Sequence, residues 1–437
     1  MPGAPSSPER ERLGIGRFVS IPNPSGILPP SSQILGRGRE VPAPFSLRGN
    51  ESSMSAIPAV AHASPARSPI KVLVADDSAV VRGLVSRWLS EAGHEVVATA
   101  PNGRAAVDAL ARCNPDVVLL DIEMPELDGI QALPLILAKQ PGVQVVMMST
   151  LTQRNADVSL RCLSLGAVDY IPKPESNRGV TTSDGFRNDL LERIRVFGAA
   201  RARRRPAPSA VETASSASAA PAAPPVSRLS GTVTLRPKPR TVAPPRVLLV
   251  GSSTGGPRAV GEVLEKIGAA TLRRLPVLIV QHMPPVFTAV FAEHLGARIG
   301  LPAAEGKADE RIQPGRIYVA PGGRHMRLSG SAAETVIRLD DGPPVNFCRP
   351  AVDVMFLDAA ALYGGATLSV ILTGMGSDGT AGARALVEAG GTLLAQDEAT
   401  STVWGMPGSV AKAGLCHAVL PLPEIGPALR SAIGERV

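Results

Sequence analysis

Two blocks of the sequence alternate short apolar runs with helical patterns, and this alternation constrains the fold more than any other feature. The first block covers residues 71–196 and holds five strand-like runs, among them KVLVADD and DVVLLD. The second covers residues 245–437 and contains the runs RVLLVGSS, LPVLIVQHM and ATLSVILTGMG. Strands interleaved with helices predict parallel sheets that are covered on both faces. We therefore expect two α/β domains, the second of them doubly wound with a β-hairpin around residues 317–339.

The remaining segments are predicted to connect or extend these two domains. Residues 1–69 are rich in Pro, Ser, Gly and Arg without sustained periodicity, so we expect a disordered N-terminal extension. Residues 197–244 contain the low-complexity run RPAPSAVETASSASAAPAAPPV, which is typical of a flexible linker. The folded domains are therefore predicted at residues 70–196 and 245–437, as expected for a chain of 437 residues.

Composition excludes several functional classes. The net charge is +7, but residues 201–245 hold eight Arg and Lys against one Glu, so the linker carries the whole excess and a DNA-binding surface is not favoured. Aromatic residues make up 3% of the chain, which leaves little for base stacking. No apolar run approaches the roughly 18 residues of a membrane span, and no apolar export signal is visible. The four cysteines form no CxxC pair, which argues against disulfides or a zinc site and favours the cytoplasm.

Polar side chains follow the strands of the first block. Asp76 and Asp77 come after the first strand, Asp121 after the third, Ser149 after the fourth and Lys173 after the fifth. The carboxyl ends of parallel strands meet at one edge, where three carboxylates would repel each other unless a hard cation such as Mg²⁺ joined them. The lysine and the hydroxyl could then bind a phosphoryl group. Any one acid could instead cap the next helix, but the five residues together favour a phosphorylation site.

Gly251, Ser253 and Gly255 form a GxSxG pattern between a strand and a helix. Small residues there permit the sharp turn of a nucleophile elbow, but glycines after a strand also bind nucleotide phosphates, so this stretch alone leaves both interpretations open. The dinucleotide fingerprint is missing because GSSTGG is not GxGxxG. The next strand ends in Gln281 and His282 instead of the acid that would hold a ribose.

His282 favours the interpretation of Ser253 as a nucleophile, because an imidazole at the same sheet edge could act as its base. Asp378, in TGMGSDG, ends another strand and could orient that imidazole. The surrounding glycines favour Asp378 because they let the backbone approach closely. The chain order Ser, His, Asp differs from the order in α/β-hydrolases, so membership of that fold is not expected. Four other carboxylates remain possible orienters: Asp340, Asp341, Asp353 and Asp397.

Residues 71–195 resemble a two-component receiver domain, which has a five-stranded, flavodoxin-like fold. The resemblance implies that Asp121 is the phosphoacceptor. The implied Mg²⁺ ligands are Asp76, Asp77, Asp121 and the backbone carbonyl of Glu123. The residues implied to sense the phosphoryl group are Ser149, Lys173 and Tyr170.

Prolines stand on both sides of Lys173. Pro172 lacks the N–H group that a central strand would donate, so the fifth strand is predicted to lie at a sheet edge. The resemblance also implies a cis bond between Lys173 and Pro174, a conformation largely confined to proline.

Residues 245–437 resemble the catalytic domain of chemotaxis protein-glutamate methylesterases. The similar blocks are GSSTGG, QHMPPVFT, YVAPGGRHM, DGPPVNFCRPAVDVMF, LTGMGSDG and QDEATSTVWGMPGSV, and the order receiver, linker, esterase is also similar. Ser377 stands where family blocks often have Asn, which leaves Asp378 in register. The resemblance implies an esterase site without a cofactor, with these residues: Ser253, His282 and Asp378 as the triad, and the backbone amides near Thr254 and Met375 as oxyanion donors.

The resemblance implies hydrolysis of glutamate γ-methyl esters on methyl-accepting chemotaxis receptors, and deamidation of receptor glutamines. A chemotaxis histidine kinase would phosphorylate Asp121 and shift a blocking receiver toward an open arrangement. Two alternatives stay open. A DNA-binding response regulator would need a helix-turn-helix after the linker, where about 190 residues of α/β pattern stand instead. In a receiver-controlled binding or scaffold module without hydrolase activity, Ser253 would only shape a turn.

Overall fold

The structure is a computed structural model that describes residues 69–150, 152–173, 184–204, 233–237 and 243–434. All of these residues belong to one compact unit. The predictions for residues 1–68, for most of the linker and for the Lys173–Pro174 bond lie outside the described residues. No helix in the described ranges has both the length and the hydropathy that a bilayer span requires.

The N-terminal domain alternates strands and helices along the chain. Its elements are β1 (Lys71–Ala75), α1 (Ala79–Glu91), β2 (Glu95–Ala100), α2 (Gly103–Cys113), β3 (Val117–Asp121), α3 (Gly129–Lys139), β4 (Gln144–Thr150), α4 (Gln153–Leu165), β5 (Asp169–Lys173) and α5 (Asp184–Arg204). The strands form one parallel sheet in the order β2-β1-β3-β4-β5. This confirms the predicted five-stranded parallel sheet, and it places Pro172 on an edge strand as expected. Helix α5 continues past residue 196, where we expected the domain to end.

The C-terminal domain repeats the same alternation on a larger scale. Its elements are β6 (Val247–Ser252), α6 (Gly256–Ile267), α7 (Ala269–Leu272), β7 (Val277–Gln281), α8 (Phe287–Ile299), β8 (Ala303–Glu305), β9 (Ile317–Val319), β10 (His325–Ser331), β11 (Glu334–Asp340), α9 (Val352–Tyr363), a 3₁₀ turn (Gly364–Ala366), β12 (Thr367–Ile371), α10 (Thr380–Glu388), β13 (Thr392–Gln396), α11 (Met406–Lys412), β14 (Ala418–Leu420) and α12 (Leu422–Gly434). Seven strands form a parallel sheet in the order β14-β13-β12-β6-β7-β9-β8.

The predicted hairpin is present, but it starts later than expected. Ile317–Val319 is strand β9, which lies between β7 and β8 in the parallel sheet. The antiparallel hairpin pairs His325 with Asp340 at one end and Ser331 with Glu334 at the other. A three-residue apolar strand has too little periodicity to distinguish a buried parallel strand from the arm of a hairpin.

The centre of the second sheet positions the site. Strands β6 and β12 are buried along their whole length, because helices cover both faces and each inward side chain is apolar or small. Burying a Val, Leu or Ile side chain contributes about 1.5–3 kcal/mol, so these strands anchor the domain. Since β12, β6 and β7 are neighbours and parallel, the segments that follow them emerge at the same edge.

Candidate functional site

Ser253 stands in a tight turn between β6 and α6. The Gly256 N–H donates to the Ser253 carbonyl over 2.7 Å, and Gly255 caps the helix with a φ of 75°. A β-carbon at Gly255 would overlap the side chain of Thr402, so both the backbone and the space require glycine there. The turn is therefore a sharp strand-to-helix elbow, and Ser253 lines a cavity of about 520 Å³.

His282 and Asp378 lie in direct contact beside this cavity. The His282 Nε2 and Asp378 Oδ2 atoms are 2.8 Å apart, and the aspartate side chain is 2% exposed. Asp378 also accepts hydrogen bonds from the Val352 N–H (2.6 Å), the Asp353 N–H (3.2 Å) and Asn346 Nδ2 (3.0 Å). These four contacts fix the carboxylate, which in turn fixes the orientation of the imidazole.

The contact changes the charge states of both partners. Burial disfavours a charged imidazole, but the hydrogen bonds with Asp378 and Cys348 outweigh burial and raise the pKa of His282 to about 9. Burial would raise the pKa of Asp378, yet the hydrogen bond from His282 and the adjacent charge hold this pKa below its usual range. At neutral pH the resting pair is therefore an imidazolium and a carboxylate.

The second ring nitrogen of His282 has a partner that we did not predict. Cys348 Sγ lies 3.5 Å from His282 Nδ1, whereas among the described residues no hydrogen bond joins Ser253 to the imidazole. Ser253 and His282 line the same cavity, so the structure brings the three predicted residues to one site. The Cys348 thiol lies at His282 Nδ1, the nitrogen where the Ser253 hydroxyl would be expected. Sequence spacing did not indicate Cys348, which lies in a loop and is, like the other three cysteines, free of disulfides.

The alternative carboxylates have other partners. Asp353 accepts hydrogen bonds from Asn346 Nδ2 (2.8 Å) and from the Gly382 N–H (2.7 Å). It therefore supports the site indirectly, through Asn346. The other three serve turns or surface pairs, as shown by these contacts: Asp397 with Thr400, Asp341 with Arg324, and Asp340 with the Gly342 N–H.

Thr254 and Met375 both line the cavity beside Ser253. Within the described ranges, neither of their amide N–H groups donates a hydrogen bond to another residue. Gly374 lets this loop approach, since a β-carbon there would lie 2.8 Å from Ser253 Cβ. Both amides are therefore placed where they could serve a developing oxyanion.

The acidic residues of the N-terminal domain also come together. Carboxylate oxygens of Asp76, Asp77 and Asp121 lie within 4.8 Å of one another. Lys173 Nζ lies 2.8 Å from Asp121 Oδ1 and 3.2 Å from Asp76 Oδ2. Burial raises the pKa of Asp121 to about 6, because Lys173 opposes the effect only in part and Asp76 adds repulsion. A cluster of hard oxygen ligands with uncompensated charge fits Mg²⁺.

Three further residues are predicted for this site, and their roles stay predictions. Ser149 Oγ lies 3.0 Å from Ser159 Oγ, within the domain core. Tyr170 is buried, and its ring stacks on Phe287 of the C-terminal domain with 4.6 Å between the ring centroids. The Glu123 side chain is exposed near Asp77, at one edge of a surface cavity.

Strand β5 connects the two sites. It begins with the buried Asp169, which forms an ion pair with Arg193 of α5. Tyr170 follows, and Lys173 ends the strand at Asp121. Asp169 and Arg193 also line the cavity that Ser253 faces, so the N-terminal domain forms part of the wall around the predicted nucleophile.

Comparison with protein families identifies both domains. Residues 72–183 match the response regulator receiver domain, and residues 248–429 match the CheB methylesterase domain. A protein-glutamate methylesterase/protein-glutamine glutaminase of group 2 operon from Bradyrhizobium diazoefficiens is 52% identical over 373 residues, covering 82% of this chain and 92% of the relative. The chain belongs to the CheB methylesterase family. Its architecture, a receiver domain followed by a methylesterase domain, confirms the family that the sequence motifs indicated.

Other similar proteins carry the same description. A protein-glutamate methylesterase/protein-glutamine glutaminase from Rhodopseudomonas palustris is 53% identical over 374 residues, covering 84% of this chain and 95% of the relative. The crystal structure of the Thermotoga maritima CheB methylesterase catalytic domain is 38% identical, with a TM-score of 0.41, and covers 43% of this chain and 99% of that one.

Proposed function

We propose that this CheB-family enzyme hydrolyses glutamate γ-methyl esters on methyl-accepting chemotaxis receptors and deamidates receptor glutamines. The hydrogen-bonded His282–Asp378 pair, on the cavity that Ser253 faces, is the observation that carries the proposal. The names of the similar proteins support both activities. Four free cysteines agree with a reducing compartment, and we place the enzyme in the cytoplasm.

The proposed chemistry is acyl transfer to a serine. Ser253 Oγ attacks the ester carbonyl while His282 accepts the hydroxyl proton, and the amides of Thr254 and Met375 donate to the oxyanion. The bond to the methoxy oxygen then breaks, and His282 returns the proton so that methanol leaves. Water cleaves the acyl-enzyme in the same way and leaves a glutamate. For a glutamine substrate the leaving group is ammonia.

We assign control of this reaction to phosphorylation of Asp121 by a chemotaxis histidine kinase. Asp76, Asp77, Asp121 and the Glu123 carbonyl would hold Mg²⁺, which would offset the negative charge of the phosphoryl group. Lys173 would move with the new charge, and β5 carries that movement to Asp169 and Tyr170 at the catalytic domain. The receiver residues that line the catalytic cavity support inhibition by occlusion in the unphosphorylated state.

A thiol nucleophile is the second candidate, because Cys348 Sγ already contacts His282 Nδ1. A thiolate could attack the same carbonyl and pass through a thioester. We favour Ser253 because the elbow presents it next to two amides that have no other acceptor among the described residues.

The test is methanol release from methylated receptor membranes by four proteins. We expect Ser253→Ala to lose at least about 10³-fold in rate, as in other serine hydrolases without their nucleophile. Cys348→Ala should be at least as active as wild type, and Asp121→Asn should lose stimulation by a phosphodonor. A serine-directed phosphonate should label the wild-type protein but not Ser253→Ala. Full activity in Ser253→Ala together with loss in Cys348→Ala would assign the nucleophile to the thiol.

A further inference from the structure

Phe347 lies at the rim of the catalytic cavity with its side chain in solvent. It is 102% exposed, whereas the other exposed large apolar side chains among the described residues range from 38% to 58%. At this exposure, no receiver residue that the structure describes covers its ring. Single apolar side chains are common at protein surfaces, so the exposure of Phe347 alone does not indicate a function. The backbone conformation around Phe347 is a second, independent observation.

Residues Val345 to Cys348 form a two-residue β-turn. The Val345 N–H donates to the Cys348 carbonyl over 3.0 Å, and the Cys348 N–H donates back over 2.9 Å. The central residues Asn346 and Phe347 have φ values of 51° and 63°, the combination of a type I′ turn. Asparagine suits the first position, but the second strongly favours glycine. A phenylalanine there is strained, and in this structure its ring buries nothing that would offset the strain.

The turn is held rigidly against the catalytic residues. Asn346 Nδ2 donates to Asp378 Oδ1 over 3.0 Å, and Cys348 contacts His282. The buried ring of His325 joins the ends of the loop, because its Nε2 lies 3.0 Å from the Pro343 carbonyl and its Nδ1 accepts from the Ala351 N–H over 3.2 Å. Phe347 is therefore presented at a fixed distance from the triad, so a partner that contacts it would lose little freedom of the loop.

We infer that Phe347 is a substrate-contact residue, which packs against apolar side chains of the polypeptide surface that carries the methyl ester. The inference rests on the proposed function. A cavity of about 520 Å³ accommodates one esterified side chain, so the protein that bears this side chain must contact the rim. A fixed aromatic residue at the rim is the kind of group that dominates binding energy at protein interfaces.

The experiment compares a protein substrate with a small one. Phosphorylated wild-type enzyme, Phe347→Gly and Phe347→Leu are assayed for methanol release from methylated receptor membranes and for hydrolysis of p-nitrophenyl acetate. For Phe347→Gly we expect kcat/KM on the receptor to fall about tenfold, mainly through KM, because an interfacial aromatic anchor is lost. Activity on the small ester should stay within about twofold. Phe347→Leu should lie between the two on the receptor.

Thermal unfolding separates substrate contact from structural support. Phe347→Gly should have a melting temperature no lower than wild type, because glycine suits the turn better. Leu357→Ala is the matched control: this side chain is 46% exposed on α9, outside the cavity lining, and we expect no effect on either substrate.

Two results would overturn the inference. One is an unchanged receptor kcat/KM in Phe347→Gly, and the other is an equal loss on both substrates, which would mean that the residue only supports the triad. If the wild-type enzyme released no methanol from receptors, the proposed function itself would fail, and this inference with it.

Discussion

His282 has two ring nitrogens, and each has its own partner in the structure. Asp378 takes Nε2, so Nδ1 is the nitrogen left to accept a proton from a nucleophile. In the resting arrangement Nδ1 is occupied by Cys348 Sγ. Activation at this residue therefore needs two changes: the ring must lose its proton, and Nδ1 must exchange the thiol for the Ser253 hydroxyl.

Because His282 must lose its proton, we expect the reactivity of Ser253 to depend on pH. Because the pKa of His282 is raised to about 9, the imidazole is protonated at pH 7 and cannot act as a base. The rate at which a serine-directed phosphonate labels Ser253 should therefore rise with pH, reach half of its maximum near pH 9 and level off above that pH. Labelling that had already reached its plateau at pH 7 would contradict the charge state that we assign.

The second change predicts the effect of Cys348→Ala on the same pH profile. The contact with Cys348 is one of the causes of the raised pKa, so its removal should move the midpoint of the profile to lower pH. Labelling at pH 7 should consequently become faster. The matched control is Cys113→Ala, which changes a free cysteine on α2 and should leave the profile unchanged.

At the scale of elements, the elbow between β6 and α6 depends on glycine for two separate reasons. Gly255 has a positive φ, and a β-carbon there would overlap Thr402. Gly300, at the end of α8, has a φ of 73° in the same left-handed region, but a β-carbon there would meet open space. The two glycines therefore separate backbone strain from steric overlap.

We expect Gly300→Ala to lower the free energy of unfolding by roughly 1–2 kcal/mol, the cost of a left-handed backbone for a residue with a side chain. Gly255→Ala should cost roughly 1–3 kcal/mol more, because the methyl group also meets packed atoms. Urea unfolding of both variants measures the difference. Equal losses would show that Thr402 moves aside freely.

Much at this scale could be predicted from the sequence. Strands β6, β7 and β12 are continuous apolar runs, and residues that follow such runs gather at one edge of a parallel sheet, which is why His282 and Asp378 could be paired in advance. Asn346 and Cys348 could not be found in this way. They reach the site through a turn whose positive φ at Phe347 runs against the preference of that residue. Ser149 stands one residue after Met148, the register partner of Asp121 on β4, and its hydroxyl contacts Ser159 on the next helix, so its role in sensing the phosphoryl group stays a prediction.

At the scale of the whole molecule, the receiver contacts the catalytic domain through groups of very different burial. Tyr170 is 6% exposed and stacks on Phe287, with the ring planes 4° apart. His294 Nε2 and Asp157 Oδ1 form a 2.7 Å hydrogen bond across the same interface, but their side chains are 39% and 46% exposed. A stacked, buried aromatic pair contributes more than an exposed polar contact that solvent screens.

Because the two contacts differ in burial, we expect their removal to relieve inhibition of the catalytic domain to different extents. In unphosphorylated full-length enzyme, Tyr170→Ala should raise the rate of ester hydrolysis several-fold, because the closed arrangement loses its main aromatic contact. His294→Ala should raise the rate less than about twofold, in line with the small contribution of exposed polar contacts. Initial rates without a phosphodonor measure both. If Tyr170→Ala hydrolysed the ester no faster than wild type, occlusion through this contact would be excluded.

The lateral order β12-β6-β7 has a consequence for how such enzymes can diverge. The proposed acid, nucleophile and base each follow one of three adjoining strands. Their proximity is therefore independent of the path that the chain takes between those strands. The connections can lengthen, shorten or acquire a hairpin such as β10-β11 while the reacting groups keep their places. Rearranged chain orders that preserve this neighbourhood should retain the same chemistry.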